Sequence, residues 1–159
     1  MAVDMFLKID DVKGESQDHK HKDEIEVLSF SLGGQQTGTS VIGGGMGAGK
    51  VSFQDAHFTK NIDKSSPVLF ARMTTGKHIK KAVLTVRKAG GDQQEYLTIT
   101  FEDILVSSLQ HGGSGGEVVP EQVSLNFSKI TYLYKPQKAD GSLDSGTPIG
   151  WDLKQNKPV

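Results

Sequence analysis

The sequence predicts a mainly β protein with one short helix, folded as a single domain of the sandwich or small-barrel type. Two patterns favour this class. Roughly eight to ten short runs of alternating apolar and polar residues are separated by turn residues. Only one segment, residues 65–75, combines helical spacing with start and stop signals. The length of 159 residues fits one domain with a sizeable core.

The first half of the chain contains three predicted strands and two loops before the helix. Apolar residues alternate through 5–9, which predicts the first strand, and a charged loop follows at 10–24. Residues 25–32 form the second strand. Residues 33–49 are rich in glycine and predict a long flexible loop. The next strand covers 51–59, and its alternation changes phase near Asp55, which indicates a bulge.

The predicted helix has signals at both ends. Asp63, Ser65 and Ser66 are candidate N-caps, because a short oxygen-bearing side chain can accept a hydrogen bond from the first free N–H groups. Gly76 suits the left-handed residue that ends a helix. About three turns are too few for a stable isolated helix, so its apolar stripe must pack on a sheet. We expect no cluster of titrating residues beside it.

The second half of the chain is predicted to be strands and loops, with a polar linker at residues 136–148. The strands are expected at residues 82–88, 96–102, 104–109, 122–127, 130–134 and 149–153. Gly90 and Gly91 mark a hairpin between the first two. The glycines of 112–116 mark a second flexible loop, and the two runs after it are interpreted as one bent strand.

Composition and charge exclude several classes of function. The net charge of −1 gives no reason to expect a nucleic acid or an anionic membrane as partner. The absence of cysteine excludes disulfides, thiol catalysis and thiolate metal sites. No basic n-region precedes an apolar stretch at the N-terminus, and the apolar runs are too short to span a membrane. We therefore expect cytoplasmic folding, and export without a cleaved signal peptide if the protein is exported.

Two glycine motifs invite an enzymatic interpretation, and their sequence context opposes it. Gly44, Gly49 and Lys50 have P-loop spacing, but Val51 stands where a hydroxyl should hold magnesium, and a predicted strand follows instead of a helix. Residues 112–116 match G-x-S-x-G, but a nucleophile elbow needs a strained strand-to-helix turn. We predict a protein without catalytic residues and without a cofactor.

The histidines do not form a metal motif. His19 and His21 would share a face of an extended segment, yet lysines lie between and after them, and stable sites need three or four converging ligands. A solvated loop is the favoured interpretation. His57, His78 and His111 stand alone in the sequence and are predicted to be ordinary strand or loop residues.

Several predicted strands carry small, uncharged polar residues on the face opposite their apolar residues. Ser29 and Ser31 oppose Leu28, Phe30 and Leu32 in this way. The same pattern recurs at Thr98, Thr100, Ser124, Asn126 and Ser128. One interpretation is that exposed strands simply tolerate serine and threonine. The other is that these faces line an internal surface of an assembly, since ordinary exposed strands usually include lysine and glutamate.

The order and spacing of several segments resemble the hemolysin-coregulated protein (Hcp) family, the inner-tube subunits of bacterial type VI secretion systems. Val12-Lys13-Gly14-Glu15-Ser16 and Thr75-Gly76-Lys77-His78 are two of these segments. The others lie at residues 1–9, 43–51, 58–67, 84–91, 106–108 and 150–153. The resemblance covers nearly the whole chain, so residues 1–159 are predicted to be a single tube domain.

The resemblance implies a two-sheet, β-barrel-like domain with one helix. It further implies homohexameric rings that stack into an expelled tube, with small effectors carried in the lumen of some members. The implied partners are other copies of the chain, a spike protein, a sheath and small effectors. The chain would be cytoplasmic before firing and secreted afterwards. The alternative is a monomeric or oligomeric ligand-binding β-barrel without catalysis.

Two sets of residues are predicted to serve the assembly. Ser29 and Ser31 are predicted to face the lumen, because the uncharged polar faces suit a surface that must bind passengers weakly. The long glycine-rich loop is predicted to contact a neighbouring subunit or the next ring, since long loops are often functional. Its residues are Gly43, Gly44, Gly45, Met46, Gly47 and Lys50.

Overall fold

A computed structural model describes residues 2–38, 48–116 and 118–159 and confirms a mainly β fold with one short helix. The first strands are β1 (Val3–Ile9), β2 (Ile25–Glu26), β3 (Ser29–Ser31), β4 (Gly34–Gly38), β5 (Ala48–Phe53) and β6 (Ala56–Asn61). The helix α1 (Ser65–Thr75) follows. The remaining strands are β7 (Ile79–Lys88), β8 (Glu95–His111), β9 (Pro120–Tyr134), β10 (Ile149–Asp152) and β11 (Lys157–Pro158).

The described strands form one nine-stranded antiparallel sheet and one two-stranded sheet. In the large sheet the order is β11-β10-β9-β8-β7-β1-β2, and β6 joins it by pairing with β9 on one side and β3 on the other. The long strand β9 changes partners along its length: one end pairs with β6 and the other with β10, while β8 runs beside it on the other edge. The sheet therefore folds over on itself, and β4 and β5 make the separate pair.

The core lies between the two halves of this folded sheet. Leu7, Leu84 and Ile99 come from adjacent strands of one half and are at most 1% exposed. Phe58 and Leu125 come from the other half and are equally buried. The helix packs against β8, and its Leu69 is fully buried in the same core. The short helix is thus stabilised by packing, as its length requires.

The predicted helix boundaries are confirmed. Asp63 Oδ1 accepts a hydrogen bond from the Ser65 N–H at 2.9 Å, although the residue directly before the helix is Lys64, whose side chain makes no cap. Gly76 ends the helix with a φ of 66°, and its N–H donates to the Met73 carbonyl. A left-handed residue at this position is the geometry that glycine adopts most easily.

The prediction that residues 25–32 form one strand with Leu28 on its apolar face is wrong. Ile25 and Val27 are buried, whereas Leu28 is 54% exposed. The reason is a change of partner: the Val27 N–H donates to Met5 of β1, and the next N–H donates to Thr59 of β6. The chain crosses from one neighbour to the other at this point, and the alternation of buried residues does not continue across the crossing.

The prediction of a loop throughout residues 33–49 is wrong at both ends. Gly34–Gly38 and Ala48–Phe53 pair as an antiparallel hairpin, and residues 39–47 lie outside the described part of the chain. The prediction of one strand over 51–59 with a bulge near Asp55 is wrong, because β5 ends at Phe53 in the small sheet and β6 begins at Ala56 in the large one. The two runs interpreted as one bent strand are the single strand β9.

Gly14 lies where the charged loop approaches the start of β2. A Cβ atom added here would lie 2.5 Å from the Glu24 carbonyl oxygen and 2.8 Å from the Ile25 Cα. Both are backbone atoms, so the loop itself would have to move. We expect Gly14→Ala to lower the free energy of unfolding by about 1–3 kcal/mol, the usual range for overpacking. Urea denaturation measures the change.

The matched control is Gly90→Ala, because no atom lies within 4 Å of a Cβ added there. It should leave the free energy of unfolding within about 0.5 kcal/mol of the parent. Equal stability of the two variants would contradict the close approach at Gly14.

Candidate functional site

A continuous polar surface crosses strands β3, β6, β9 and β8. Residues that pair directly across antiparallel strands project from the same face of a sheet. The first row of paired residues is Ser29, Thr59, Gln122 and Gln110. The second row is Ser31, His57, Ser124 and Ser108. The predicted residues Ser29 and Ser31 therefore lie at one edge of an eight-residue surface, which we call the polar surface.

Alternation along the strands separates the polar surface from the core. Phe58 and Val123 lie between the two rows, point to the opposite face and are at most 1% exposed. Ser29 and Ser31 are exposed. A groove of about 330 Å³ runs along the surface beside His57 and Gln110. Thr98 and Thr100, which the sequence grouped with these serines, lie in the other half of β8 beside β7 and are not part of it.

On the inner side of the same strands lies a buried ion pair. Lys60 of β6 and Glu121 of β9 are direct partners, both side chains are fully buried, and Lys60 Nζ donates to Glu121 Oε2. Ser66 Oγ of the helix donates to the same oxygen at 2.6 Å. His111 Nε2 lies 2.7 Å from Glu121 Oε1, and Asp63 Oδ1 lies 3.2 Å from Lys60 Nζ.

This cluster joins the helix N-terminus to the sheet and contradicts the prediction that no titrating residues accompany the helix. Burial raises the pKa of Glu121, but hydrogen bonds from Lys60, Ser66 and His111 outweigh it and lower the pKa below its ordinary value. The sequence does contain a signal. Lys60 falls in the inward phase of its strand with Phe58, and Glu121 falls in the inward phase of β9.

A second charged cluster fixes the loop of residues 10–24 to β1 and β7. Arg87 is 2% exposed, and its guanidinium donates to Asp18 Oδ1 at 2.6 Å and to Asp4 Oδ2 at 3.3 Å. The guanidinium carbon also lies 4.8 Å from the centre of the Phe6 ring, within the range of a cation–π contact. The hydrogen bond from Arg87 lowers the pKa of Asp18 to about 2.

The solvated-loop interpretation is wrong for His21, which is only 7% exposed, and right for His19, which is exposed. The His21 ring stacks on Phe6 at a centroid distance of 4.5 Å. Its Nε2 lies 2.7 Å from Glu95 Oε1 and its Nδ1 lies 3.0 Å from Glu24. The contacts of His21 therefore fix the loop of residues 10–24 to β8. Within residues 2–38, 48–116 and 118–159, no group of three or more His, Asp or Glu side chains could hold a metal ion.

Among the described residues, neither glycine motif has the strand–turn–helix context that its catalytic interpretation requires. Lys50 lies on β5 with its side chain exposed, and the strand continues through Val51, whereas a P-loop lysine stands at the start of a helix. Ser114 lies in the exposed connection from β8 to β9, and β9 begins at Pro120. The other predicted loop residues, 43–47, lie outside the described part of the chain.

Two groups of exposed apolar residues in the described part of the chain line grooves, and the two grooves lie near opposite ends of β9. An almost wholly apolar groove of about 420 Å³ lies between the β4–β5 hairpin and strands β9 and β10. Its walls include Phe53, Tyr132 and Ile149, and Ile149 is 72% exposed. Leu28 and Ile62, 54% and 43% exposed, are the apolar side chains of another groove beyond the far end of β6, which Glu15, Glu26 and Asp63 also line.

The register of β9 gives the distance between the two places. Pro120 pairs with Asn61, next to Ile62, whereas Tyr132 at the other groove pairs with Ile149. Twelve residues of an extended strand span at most roughly 40 Å, and the folding of the sheet shortens this distance. The two apolar places therefore lie towards opposite ends of the subunit.

No described helix is long and apolar enough to cross a membrane.

Comparison with known proteins assigns the family. A family model described as "Type VI secretion system effector, Hcp" matches residues 6–134. "Protein hcp1" of Pseudomonas aeruginosa is 55% identical over 98% of this chain and 98% of its own length. Hcp1 from Salmonella typhimurium is 38% identical with a TM-score of 0.81, over 99% of this chain and 100% of that one.

A further solved structure, described as a type six secretion system protein, is 32% identical. It superposes with a TM-score of 0.92 over 99% of this chain and 100% of its own. Both the sequence and the fold match from end to end, and the chain belongs to the Hcp family of type VI secretion.

Proposed function

We propose that the chain is a non-enzymatic structural subunit of the type VI secretion tube. Six copies close into a ring, rings stack into a tube, and the tube is expelled with small effectors in its lumen. The subunit is cytoplasmic before firing and is secreted without a cleaved signal peptide. Its partners are other copies of itself, the spike protein, the sheath and the effectors. Membership of the Hcp family supports each part of this proposal.

The observation that carries the ring is the pair of exposed apolar places at opposite ends of the subunit. A contact between two different surfaces is heterologous, and copies joined in this way form a closed ring when the rotation between them closes. Leu28 and Ile62 offer projecting apolar side chains. The groove beside Ile149 offers a concave apolar surface of suitable chemistry. We assign these two places to the contact between neighbouring subunits.

The polar surface is assigned to the lumen. Its eight residues include no lysine, arginine, aspartate or glutamate, so a passenger would meet hydrogen-bonding groups without a fixed charge. Such contacts are individually weak because water competes for each of them. Ser29 and Ser31 are its outermost members on β3. This assignment keeps the lumen-facing prediction made for both serines.

Residues 43–47, together with Lys50, are assigned to contacts with a neighbouring subunit or the next ring. The β4–β5 strands that carry this segment pair with each other and, within the described residues, with no strand of the large sheet. A hairpin that is not needed to complete the sheet is free to serve an intermolecular contact.

We expect the purified chain to give a mass six times its 17.2 kDa in native mass spectrometry, and stacked rings by electron microscopy. Replacing residues 43–47 with a two-residue turn should preserve the hexamer mass and reduce tubes to single rings. The reason is that the replaced segment lies beyond the paired strands of the hairpin, so the fold of each subunit keeps its sheet.

The matched control shortens the other glycine-rich connection, residues 112–116, and should form tubes like the parent. A monomeric mass for the parent would overturn the ring. Normal tubes from the 43–47 variant would overturn the loop assignment alone.

A ligand-binding β-barrel without catalysis is the second candidate, and the apolar groove beside Ile149 is the observation that favours it. Its volume of about 420 Å³ lies within the range of small-molecule sites. In that case the chain would bind apolar compounds as a monomer. A hexamer in which this groove is covered would decide for the tube subunit.

A further inference from the structure

The groove on the polar surface is lined almost entirely by groups that can donate hydrogen bonds. Two amides, two serine hydroxyls, a threonine hydroxyl and an imidazole surround its 330 Å³. They belong to Gln110, Gln122, Ser108, Ser124, Thr59 and His57. Among the described residues, no carboxylate lines it. A concave surface of donors without an acidic group suits an acceptor that carries negative charge.

His57 lies at the centre of this surface and is the one member that can change its charge. Its Nδ1 shares a hydrogen bond of 2.6 Å with Ser124 Oγ, which fixes the orientation of the ring. The side chain is nevertheless exposed, so solvent and a ligand can reach the imidazole ring. Imidazole changes charge between about pH 5 and pH 8.

We propose that this groove is a docking site for the acidic side chains of a passenger protein, and that protonation of His57 strengthens the docking. The placement of the site in the lumen rests on the proposed function, whereas the site itself is complete within one subunit. In a ring of six, six imidazoles would line one channel. Acidification would then convert a surface without fixed charge into a cationic one, and passengers with acidic surfaces would be retained.

The groups that face His57 do not oppose this change. Its neighbours are Ser31 on β3, Ser124 on β9 and, one strand further, Ser108 on β8. Thr59 follows His57 on the same face of β6, and Asp55 lies two residues before it, just ahead of the strand. Asp55 is the charged group nearest along the strand. Its two oxygens already accept hydrogen bonds from Ser107 and Asn126, so it is held towards the β8–β9 side.

A fluorescein-labelled oligoglutamate peptide is the probe, and fluorescence anisotropy is measured with the full chain at about pH 5.5 and about pH 8. We expect binding about three- to fivefold tighter at the lower pH, the range for a solvent-accessible ion pair. His57→Gln should retain the polar groove and lose the enhancement. His57→Lys should bind tightly at both pH values, because lysine keeps its charge in this range.

The matched control is His78→Gln. His78 is also exposed and pairs with Asp103, but it does not line the groove, so the enhancement should persist. An uncharged glycine-serine peptide should show no enhancement with any variant. Equal affinity of the parent at both pH values, or an enhancement that survives in His57→Gln, would overturn the proposal.

Native mass spectrometry of the same samples separates this proposal from the ring. A hexamer without a His57-dependent enhancement would leave the tube subunit standing and end the acidic docking site. An enhancement that depends on His57 in a chain that stays monomeric would uphold the docking site and end its placement in a lumen.

Discussion

Replacing Glu121 with alanine is expected to lower the free energy of unfolding by about 3–5 kcal/mol, the usual cost of breaking a buried ion pair from one side. Lys60 would remain fully buried with Asp63 as its one carboxylate contact, at 3.2 Å. The Ser66 hydroxyl would lose its acceptor at the start of the helix. Urea denaturation followed by circular dichroism measures the change.

Two comparisons separate this effect from a general loss of packing. The double variant Lys60→Met with Glu121→Leu removes both charges and should recover most of the lost stability, because apolar residues of similar volume can replace a buried pair. Glu102→Ala breaks a pair with Lys129 whose side chains are 38% and 34% exposed at 3.6 Å. It should cost less than about 1 kcal/mol. Equal losses in Glu121→Ala and Glu102→Ala would contradict the buried-pair interpretation.

The same pair gives the sign of the pH dependence. The pKa of Glu121 is lower in the folded protein than its ordinary value of 4.5. A lowered pKa contributes stability that is present above the ordinary value and is lost as the pH falls through the folded value. Asp18, with a pKa of about 2 beside Arg87, acts in the same direction. The parent should therefore lose stability below pH 4.5, and the Lys60→Met, Glu121→Leu double variant should lose less.

The features that sequence predicted correctly depend on residues close together in the chain. The helix is an example, because Asp63 and Gly76 act on N–H and carbonyl groups within a few residues. The irregularity near Asp55 is visible in the same local way, as a change in alternation, but its form is not, because the chain passes there from the small sheet to the large one. Local patterns of this kind follow directly from the periodicity of the backbone, so they can be predicted from neighbouring residues alone.

The features that sequence missed depend on which strands become neighbours. Leu28 was assigned to the core because nothing local shows that the chain changes partner from β1 to β6 there. Lys60 and Glu121 are 61 positions apart, so their contact exists only once β6 and β9 are in register. His21 is fixed to Glu95 in the same nonlocal way.

The polar surface also depends partly on local patterns and partly on which strands pair. Alternation alone placed Ser29 and Ser31 opposite an apolar face. The cross-strand register was needed to show that Thr59 and His57 stand directly beside them. It also excluded Thr98, which carries the same pattern on another part of the sheet. Sequence predicted the character of the surface, and pairing defined its members.

If the proposed hexamer forms, replacing Ile149 with glutamate is expected to convert it to monomers at concentrations where the parent is fully assembled. Ile149 is 72% exposed in the isolated subunit, so the new carboxylate would stay hydrated and the fold would keep its stability. In the proposed ring the same carboxylate would be buried against an apolar neighbour without a partner. A cost of about 3 kcal/mol or more per contact corresponds to at least a 100-fold weaker association.

The control at the same position is Ile149→Leu, which keeps an apolar side chain of equal volume and should remain hexameric in native mass spectrometry. The opposite end of the subunit supplies a sharper test. Leu28→Lys should also weaken assembly, because it replaces the projecting apolar side chain of the same contact with a charged one, in a groove that Glu26 and Asp63 also line. Combining it with Ile149→Glu pairs the two charges across each head-to-tail contact and should restore part of the hexamer. If the double variant is no better assembled than either single variant, the two apolar ends do not meet, and the ring must close through other surfaces.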